Sequence, residues 1–197
     1  MPLESEEMAI EKYYSLLANA FVNDPMSQYI FGDEKKRFET VKIVFTFMFD
    51  LGSNYGELIT SDNDEGLIVY TSNYLLLNSL INQINIGGLK LPFTIGIRNF
   101  VSILKYDNYA NILHAKYSRK NDIYLYIIAV DPIHQRKGIG SKLLIDLQSF
   151  LIKGQRIYLE TSNPTNIPFY EKHGFRKQED FNIPNSNVYI WPMIYEK

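Results

Sequence analysis

The sequence predicts an α/β domain of the mixed α+β kind: a central mixed sheet, a parallel strand pair at its heart and helices on its faces. Three observations carry this. Residues 122–195 alternate strand, helix, strand and short helix, then end in two further strands. Residues 57–72 read as two short strands around a polar turn. The remaining segments carry helical periodicity. A chain of 197 residues, 46% of them apolar, is long enough for one real core, and residues 1–197 read as a single domain.

The elements follow in order. Residues 5–22 form a helix: Ser5 suits the N-cap, and Glu6 and Glu7 suit its positive end. Met8, Ile10, Tyr13, Tyr14, Leu17 and Phe21 recur at helical spacing, and Asn23-Asp24-Pro25 stops the run. A second helix spans 33–51, with Phe38, Val41, Phe45, Met48 and Phe49 on one face and Gly52 as its end. Strands at 57–61 and 66–72 flank Asp62-Asn63-Asp64-Glu65-Gly66, a hairpin turn. Its carboxylates lack the spacing of a calcium loop. Residues 73–118 read as two or three helices, interrupted by Gly87-Gly88 and Pro92. DIYLYIIAV (122–130) is a strand rich in β-branched and aromatic residues. A helix from Gly138 to Lys153 carries an apolar stripe through Ile139, Leu143, Leu144, Leu147, Phe150 and Leu151. RIYLET (156–161) is a strand, Pro164 to His173 a short helix stopped by Gly174, and strands near 175–181 and 187–195 follow.

Composition narrows the function. The net charge of −2 gives no basic nucleic-acid footprint. No cysteine is present, which removes a thiolate zinc site and a cysteine nucleophile together. Three scattered histidines give no metal site either. MPLESEEMAI is acidic where a secretory signal is basic, and no apolar run reaches membrane-spanning length. The expectation is a cytoplasmic protein without nucleic-acid or membrane partners, monomeric or homodimeric.

The chemistry concentrates at Val130-Asp131-Pro132-Ile133-His134-Gln135-Arg136-Lys137-Gly138-Ile139-Gly140, between a buried strand and an amphipathic helix. Backbone N–H groups at a helix start have no internal partner, and the helix dipole adds positive charge. Gly138 and Gly140 admit a ligand close to the backbone, while Arg136, Lys137 and Lys142 flank it with positive charge. Two readings fit the fragment: an anion cradle suited to phosphate, or a tight turn that simply needs glycine. Neither the Walker spacing nor the dinucleotide fingerprint is met.

Gln135-x-x-Gly138-x-Gly140, preceded by Val130-x-Pro132, resembles the pyrophosphate-binding motif of the GNAT N-acetyltransferases. Downstream, LETSNPTNIPFYEKHGF (159–175) resembles the family's N…Y-E-K-x-G-F signature, with the order and separation the family shows. That stretch, His134-Gln135, and Ala20-Phe21-x-x-Asp24-Pro25 are similar to puromycin N-acetyltransferase-like members. The motif resemblance covers about 122–176, and residues 1–55 and the insertion at about 73–118 agree in layout. It implies the GNAT fold, acetyl-CoA as cosubstrate, no metal, and transfer of acetyl to a primary amine, the acceptor being a small molecule. The rivals are a non-catalytic acyl-CoA-binding module and acetylation of a protein or peptide amine.

The resemblance assigns cofactor contacts to Ile128, Ala129 and Val130 through backbone pairing with the pantetheine arm. It assigns pyrophosphate contacts to Gln135, Arg136, Lys137, Gly138, Ile139, Gly140, Ser141 and Lys142, and further CoA contacts to Asn163 and Asn166. Arg136 stands where the family often has glycine, and the family's first strand is missing or very short. Tyr170 falls at the family's tyrosine, and a phenol can protonate a departing thiolate. Read from the residues alone, Tyr170 is as well a packed aromatic, and Asn163 and Asn166 are as well helix caps. Glu160, at the C-terminal end of a central strand, is the candidate general base, with a buried structural carboxylate as the alternative. His114 reads as a surface or packing residue, His134 as a shaper of the loop, and His173 as a partner of a helix C-terminus. Trp191 and the tyrosines around 106–126 are candidates to hold a cationic amine through their rings.

Overall fold

The computed structural model describes the backbone of residues 2–32 and 34–197, and the side chains of residues 10–32 and 35–197. Three helices open the chain: α1 (Pro2–Phe21), α2 (Pro25–Phe31) and α3 (Glu34–Tyr55). The hairpin β1 (Glu57–Thr60) and β2 (Gly66–Thr71) follows, then α4 (Tyr74–Leu77), α5 (Leu80–Asn85), α6 (Leu91–Ile95) and the long α7 (Ile97–Tyr117). The rest is β3 (Ile123–Val130), α8 (Ile139–Ser149), β4 (Arg156–Thr161), α9 (Ile167–Lys172) and strands β5 (Arg176–Lys177), β6 (Phe181–Asn182) and β7 (Tyr189–Glu196).

The strands form one mixed sheet in the order β1-β2-β3-β4-β7-β5, with β6 against β7. Among the described residues only β3 and β4 pair in parallel, through Ile123 opposite Ile157 and Tyr124 opposite Tyr158. Beyond that point β3 stays paired to β2 as far as Val130, and β4 stays paired to β7 as far as Thr161. The sheet therefore opens at its centre, between two strands that are each held on their outer side.

A bulge sets which residues line that opening. Val69 faces Ile127 and Tyr70 faces Leu125, so Tyr126 has no opposite number on β2. The extra residue switches the alternation of β3. Ile123 and Leu125 pack with Leu143, Leu144 and Leu147 of α8, whereas Ile127 and Ala129 pack with Leu17, Val41 and Phe45 of α1 and α3. Arg156 joins three elements: its Nε donates to Asp122 Oδ1 at 3.0 Å, and a terminal nitrogen donates to the Tyr117 carbonyl at 3.1 Å. This buried pair pins the end of α7 to the starts of β3 and β4.

Several expectations need correction. Asn23-Asp24-Pro25 ends α1 but also starts α2: Asp24 caps it by accepting from the Met26 N–H at 2.9 Å, and Pro25 takes the first helical position. Gly52 does not end its helix, which runs on to Tyr55; it lies inside α3, where an added Cβ would strike Val69 Cγ1. Glycine serves there for close approach to β2. The 73–118 segment holds four α-helices rather than two or three. Helix α8 stops at Ser149, four residues early, and leaves Phe150 65% exposed. Phe38 is likewise on the surface rather than in the stripe of α3. Helix α1 begins at Pro2, so Ser5 is inside it; the side chains of Ser5, Glu6, Glu7 and Met8 lie outside the described residues.

Candidate active site

The turn after β3 is built from local backbone bonds. Asp131 accepts from the Ile133 N–H at 3.1 Å, and the Gln135 side-chain amide donates to the Val130 carbonyl at 3.2 Å. Arg136 then takes φ +64 and Gly138 φ +86. Both lie in the left-handed region that favours glycine, so Arg136 holds a conformation an L side chain rarely adopts. The first bond of α8 runs from the Lys142 N–H to the Gly138 carbonyl at 3.0 Å. The N–H groups of Ile139, Gly140 and Ser141 precede it and have no acceptor within the helix. Gln135 through Gly138 are exposed, and a Cβ at Gly138 would meet nothing within 4 Å. The residues thus fit an anion: free donors, a helix N-terminus and open space.

The flanking charges are partly committed. Lys142 Nζ lies 2.6 Å from Asp62 Oδ2 and so ties the β1–β2 turn to α8. His134 Nδ1 sits 3.1 Å from Lys137 Nζ and 3.2 Å from Glu65 Oε1, which agrees with a loop-shaping role.

Glu160 stands on β4 just past the last β3–β4 pair, beside the opening. Its Oε1 is buried and has no hydrogen-bond partner among the described residues, and the hydroxyl of fully buried Tyr158 stands beside the carboxyl. Burial pushes the Glu160 carboxyl up to about 7, against the pull of the Tyr158 and Tyr124 hydroxyls, and the Asp107 carboxylate adds to the rise. A carboxyl at that value can take a proton near neutrality and release it again.

Helix α7 supplies the far wall. Tyr106 and Ser162 hydroxyls bond at 2.8 Å, and Tyr74 bonds to Asn111. His114, expected on the surface or in packing, is packed: it is 9% exposed and stacks on Tyr74 with ring centroids 3.6 Å apart. Its edge contacts to Tyr124 and Tyr158 are both 4.9 Å. Burial lowers its pKa to about 4, so it brings no cation to Glu160. Asp107 is exposed on α7, and desolvation by the atoms crowded near it pushes its carboxyl up to about 6.

Tyr170 is 4% exposed, with its ring 5.3 Å from Phe169 and 5.6 Å from Phe175. Burial, and then the Asp24 carboxylate, hold its phenol well above the ordinary value, so it stays a proton donor. Asn163 caps the turn before α9 by accepting from the Thr165 N–H at 3.1 Å, and its side chain lies close enough to Asp24 to favour that residue's charged form. Asn166 makes no capping bond. His173 meets the helix C-terminus as expected, with Nδ1 2.7 Å from the Phe169 carbonyl. Trp191 is committed elsewhere: its indole N–H donates to Asp180 at 2.6 Å and its ring stacks on Tyr189.

The structure brings Glu160, Tyr158, Tyr124 and α7 together on one face of the sheet beside the opening. Sequence reading missed Asp24, Tyr74 and Asp107. Asp107 and Asn111, four apart on a helix, were the available signal.

Comparison with known proteins agrees with this geometry. Residues 99–177 match the acetyltransferase (GNAT) domain family. That span holds α7, the β3 turn and the Glu160 and Tyr170 segments. A Corynebacterium glutamicum structure described as histone acetyltransferase HPA2 and related acetyltransferase is 16% identical, over 95% of this chain and 90% of that chain, with a TM-score of 0.61. Arylalkylamine N-acetyltransferase 2 from Aedes aegypti is 11% identical, over 96% of this chain and 95% of that chain, with a TM-score of 0.52. The fold of these acetyltransferase structures extends over nearly the whole chain. Similarity to puromycin N-acetyltransferase-like members in particular is not among these findings. No helix among the described residues is long and apolar enough to cross a membrane, and no cluster of metal-ligating side chains occurs among them.

Proposed function

We propose that the protein is an N-acetyltransferase that moves acetyl from acetyl-CoA to a primary amine of a small molecule, by direct attack in a ternary complex. The observation that carries this reading is Glu160: a carboxyl with an unpartnered buried oxygen, raised to about 7, beside the opening between β3 and β4. Bound acetyl-CoA supplies an activated acetyl thioester. The N–H groups of Ile139, Gly140 and Ser141 suit its pyrophosphate, with Gln135, Arg136 and Lys137 around them, and the inner edge of Ile128, Ala129 and Val130 suits its pantetheine arm.

In this scheme Glu160 takes a proton from the acceptor ammonium. The neutral nitrogen attacks the thioester carbon, the carbon–sulfur bond breaks, and Tyr170 gives its phenolic proton to the departing sulfur. The second nitrogen proton replaces the one Tyr170 gave. Ammonium and thioester thus yield amide, thiol and one proton, which Glu160 passes to solvent. The chain has no cysteine to carry the acetyl group. Its own contribution is proximity and proton handling.

The test is thiol release from acetyl-CoA across a panel of amines, read with a disulfide dye. Release that depends on a small amine is expected. Acetyl-CoA binding with no release for any amine would overturn the reading and favour a binding module; release with peptide N-termini alone would move the acceptor class.

A further inference from the structure

The reaction above uses Glu160 and Tyr170, and Asp24 is occupied as the cap of α2 by its bond from the Met26 N–H. Asp107 has no such occupation: among the described residues no side chain or backbone group hydrogen-bonds it. Its placement follows from α7. Asp107, Asn111 and His114 recur at helical spacing and share a face. Asn111 bonds Tyr74, and His114 packs on Tyr74, Tyr124 and Tyr158. The bond from Tyr106 to Ser162 fixes the neighbouring turn against the residues that follow Glu160. Asp107 is therefore directed to the same space as Glu160. Tyr74 and Tyr106 lie within electrostatic reach of both carboxylates, and Tyr126 within reach of Asp107. The Glu160 carboxyl meets the hydroxyls of buried Tyr158 and of Tyr124, yet its buried Oε1 has no partner among the described residues, which marks this as a place where a polar ligand group completes the bonding. The groups that act on these residues electrostatically are carboxylates and phenols, and no lysine or arginine is among them.

We infer that the acceptor is a dication: the amine to be acetylated lies at Glu160, and a second cationic nitrogen on the same molecule seats against Asp107 and the surrounding tyrosine rings. Two carboxylates without internal cations select positive charge, and tyrosine faces add to the hold on an ammonium group. The inference rests on the acetyltransferase reading and specifies its acceptor. It makes Asp107 a specificity-determining residue.

The experiment measures kcat/KM by thiol release for 1-aminobutane and for the diamines from 1,3-diaminopropane to 1,6-diaminohexane. The unmodified protein is expected to favour its best diamine over the monoamine by about tenfold or more. Asp107→Asn is expected to bring that ratio close to one, mainly through KM, and Asp107→Glu to keep most of it. Turnover of the monoamine with no diamine preference overturns the dication while the acetyltransferase reading stands. A preference that survives Asp107→Asn overturns the role of Asp107. Absence of turnover with every amine overturns the function itself, and the inference with it. The preference of the unmodified protein needs no variant, so a poorly folding substitution does not shield the idea.

Discussion

Replacing Glu160 by Gln should stabilise the fold at alkaline pH while removing the proposed base. The carboxyl rises from an ordinary 4.5 to about 7 because burial penalises its charged form. The folded state therefore holds a proton that the unfolded chain releases more readily. Stability from this group is present in full below about 4.5 and is lost as pH rises through about 7. The difference of roughly 2.5 units, at about 1.36 kcal/mol each, gives about 3 kcal/mol as the full cost of the buried charge above pH 8. Near pH 4 to 5 the cost falls below about 1 kcal/mol. Gln keeps the shape and carries no charge. For a chain of this size, about 3 kcal/mol corresponds to a rise in Tm of about 6 °C or more. The assay is thermal unfolding of both proteins at pH 5 and pH 8, followed by circular dichroism. A gain at pH 8 that shrinks towards zero at pH 5 is expected. An equal effect at both pH values, or a loss at pH 8, would refute the assignment of a high-energy buried carboxylate.

Other substitutions probe the remaining parts. Tyr170→Phe should lower kcat by about 10²- to 10⁴-fold with acetyl-CoA affinity retained, since only the proton is removed; unchanged kcat would remove Tyr170 from proton transfer. Gly138→Asp should weaken acetyl-CoA binding by calorimetry, because a carboxylate at φ +86 both strains the turn and opposes phosphate; undiminished affinity would move the anion site elsewhere. Gly52→Ala should destabilise by about 1–3 kcal/mol through overpacking against Val69, and Val69→Ala should restore part of it; additive losses in denaturant titrations would contradict that contact. Asp122→Ala should cost about 3–5 kcal/mol by leaving Arg156 buried without its carboxylate; a loss under 1 kcal/mol would show that the pair is dispensable.

What the sequence disclosed, and what it hid, follows from how local each signal is. The β3 turn, α8, β4 and α9 were legible because strand composition, a continuous Leu stripe and punctuating glycines agree over short windows. Gly52 misled because glycine serves two physical ends, a helix stop and close approach, and only the neighbour Val69 decides between them. Helices α4 to α6 are short, and packing rather than periodicity fixes them. Glu160 was visible as a carboxylate at a strand end. Its raised pKa was not, because that depends on burial by the folded chain, to which Asp107 of α7 adds and which Tyr124 of β3 opposes. For Asp107 the sequence offered only its helical spacing to Asn111; its direction was hidden, because the bonds of Tyr106 to Ser162 and of Tyr74 to Asn111 orient its helix face.

The account turns on Glu160 as the group that accepts the proton of the amine. The most direct measurement is the pH dependence of kcat/KM for a small amine at saturating acetyl-CoA, in the unmodified protein and in Glu160→Gln. The account predicts a limb that rises with an apparent pKa near 7 in the unmodified protein, and its disappearance in the variant together with a fall in rate of about 10²-fold or more. The same limb in both proteins, or a variant with undiminished rate, would contradict it.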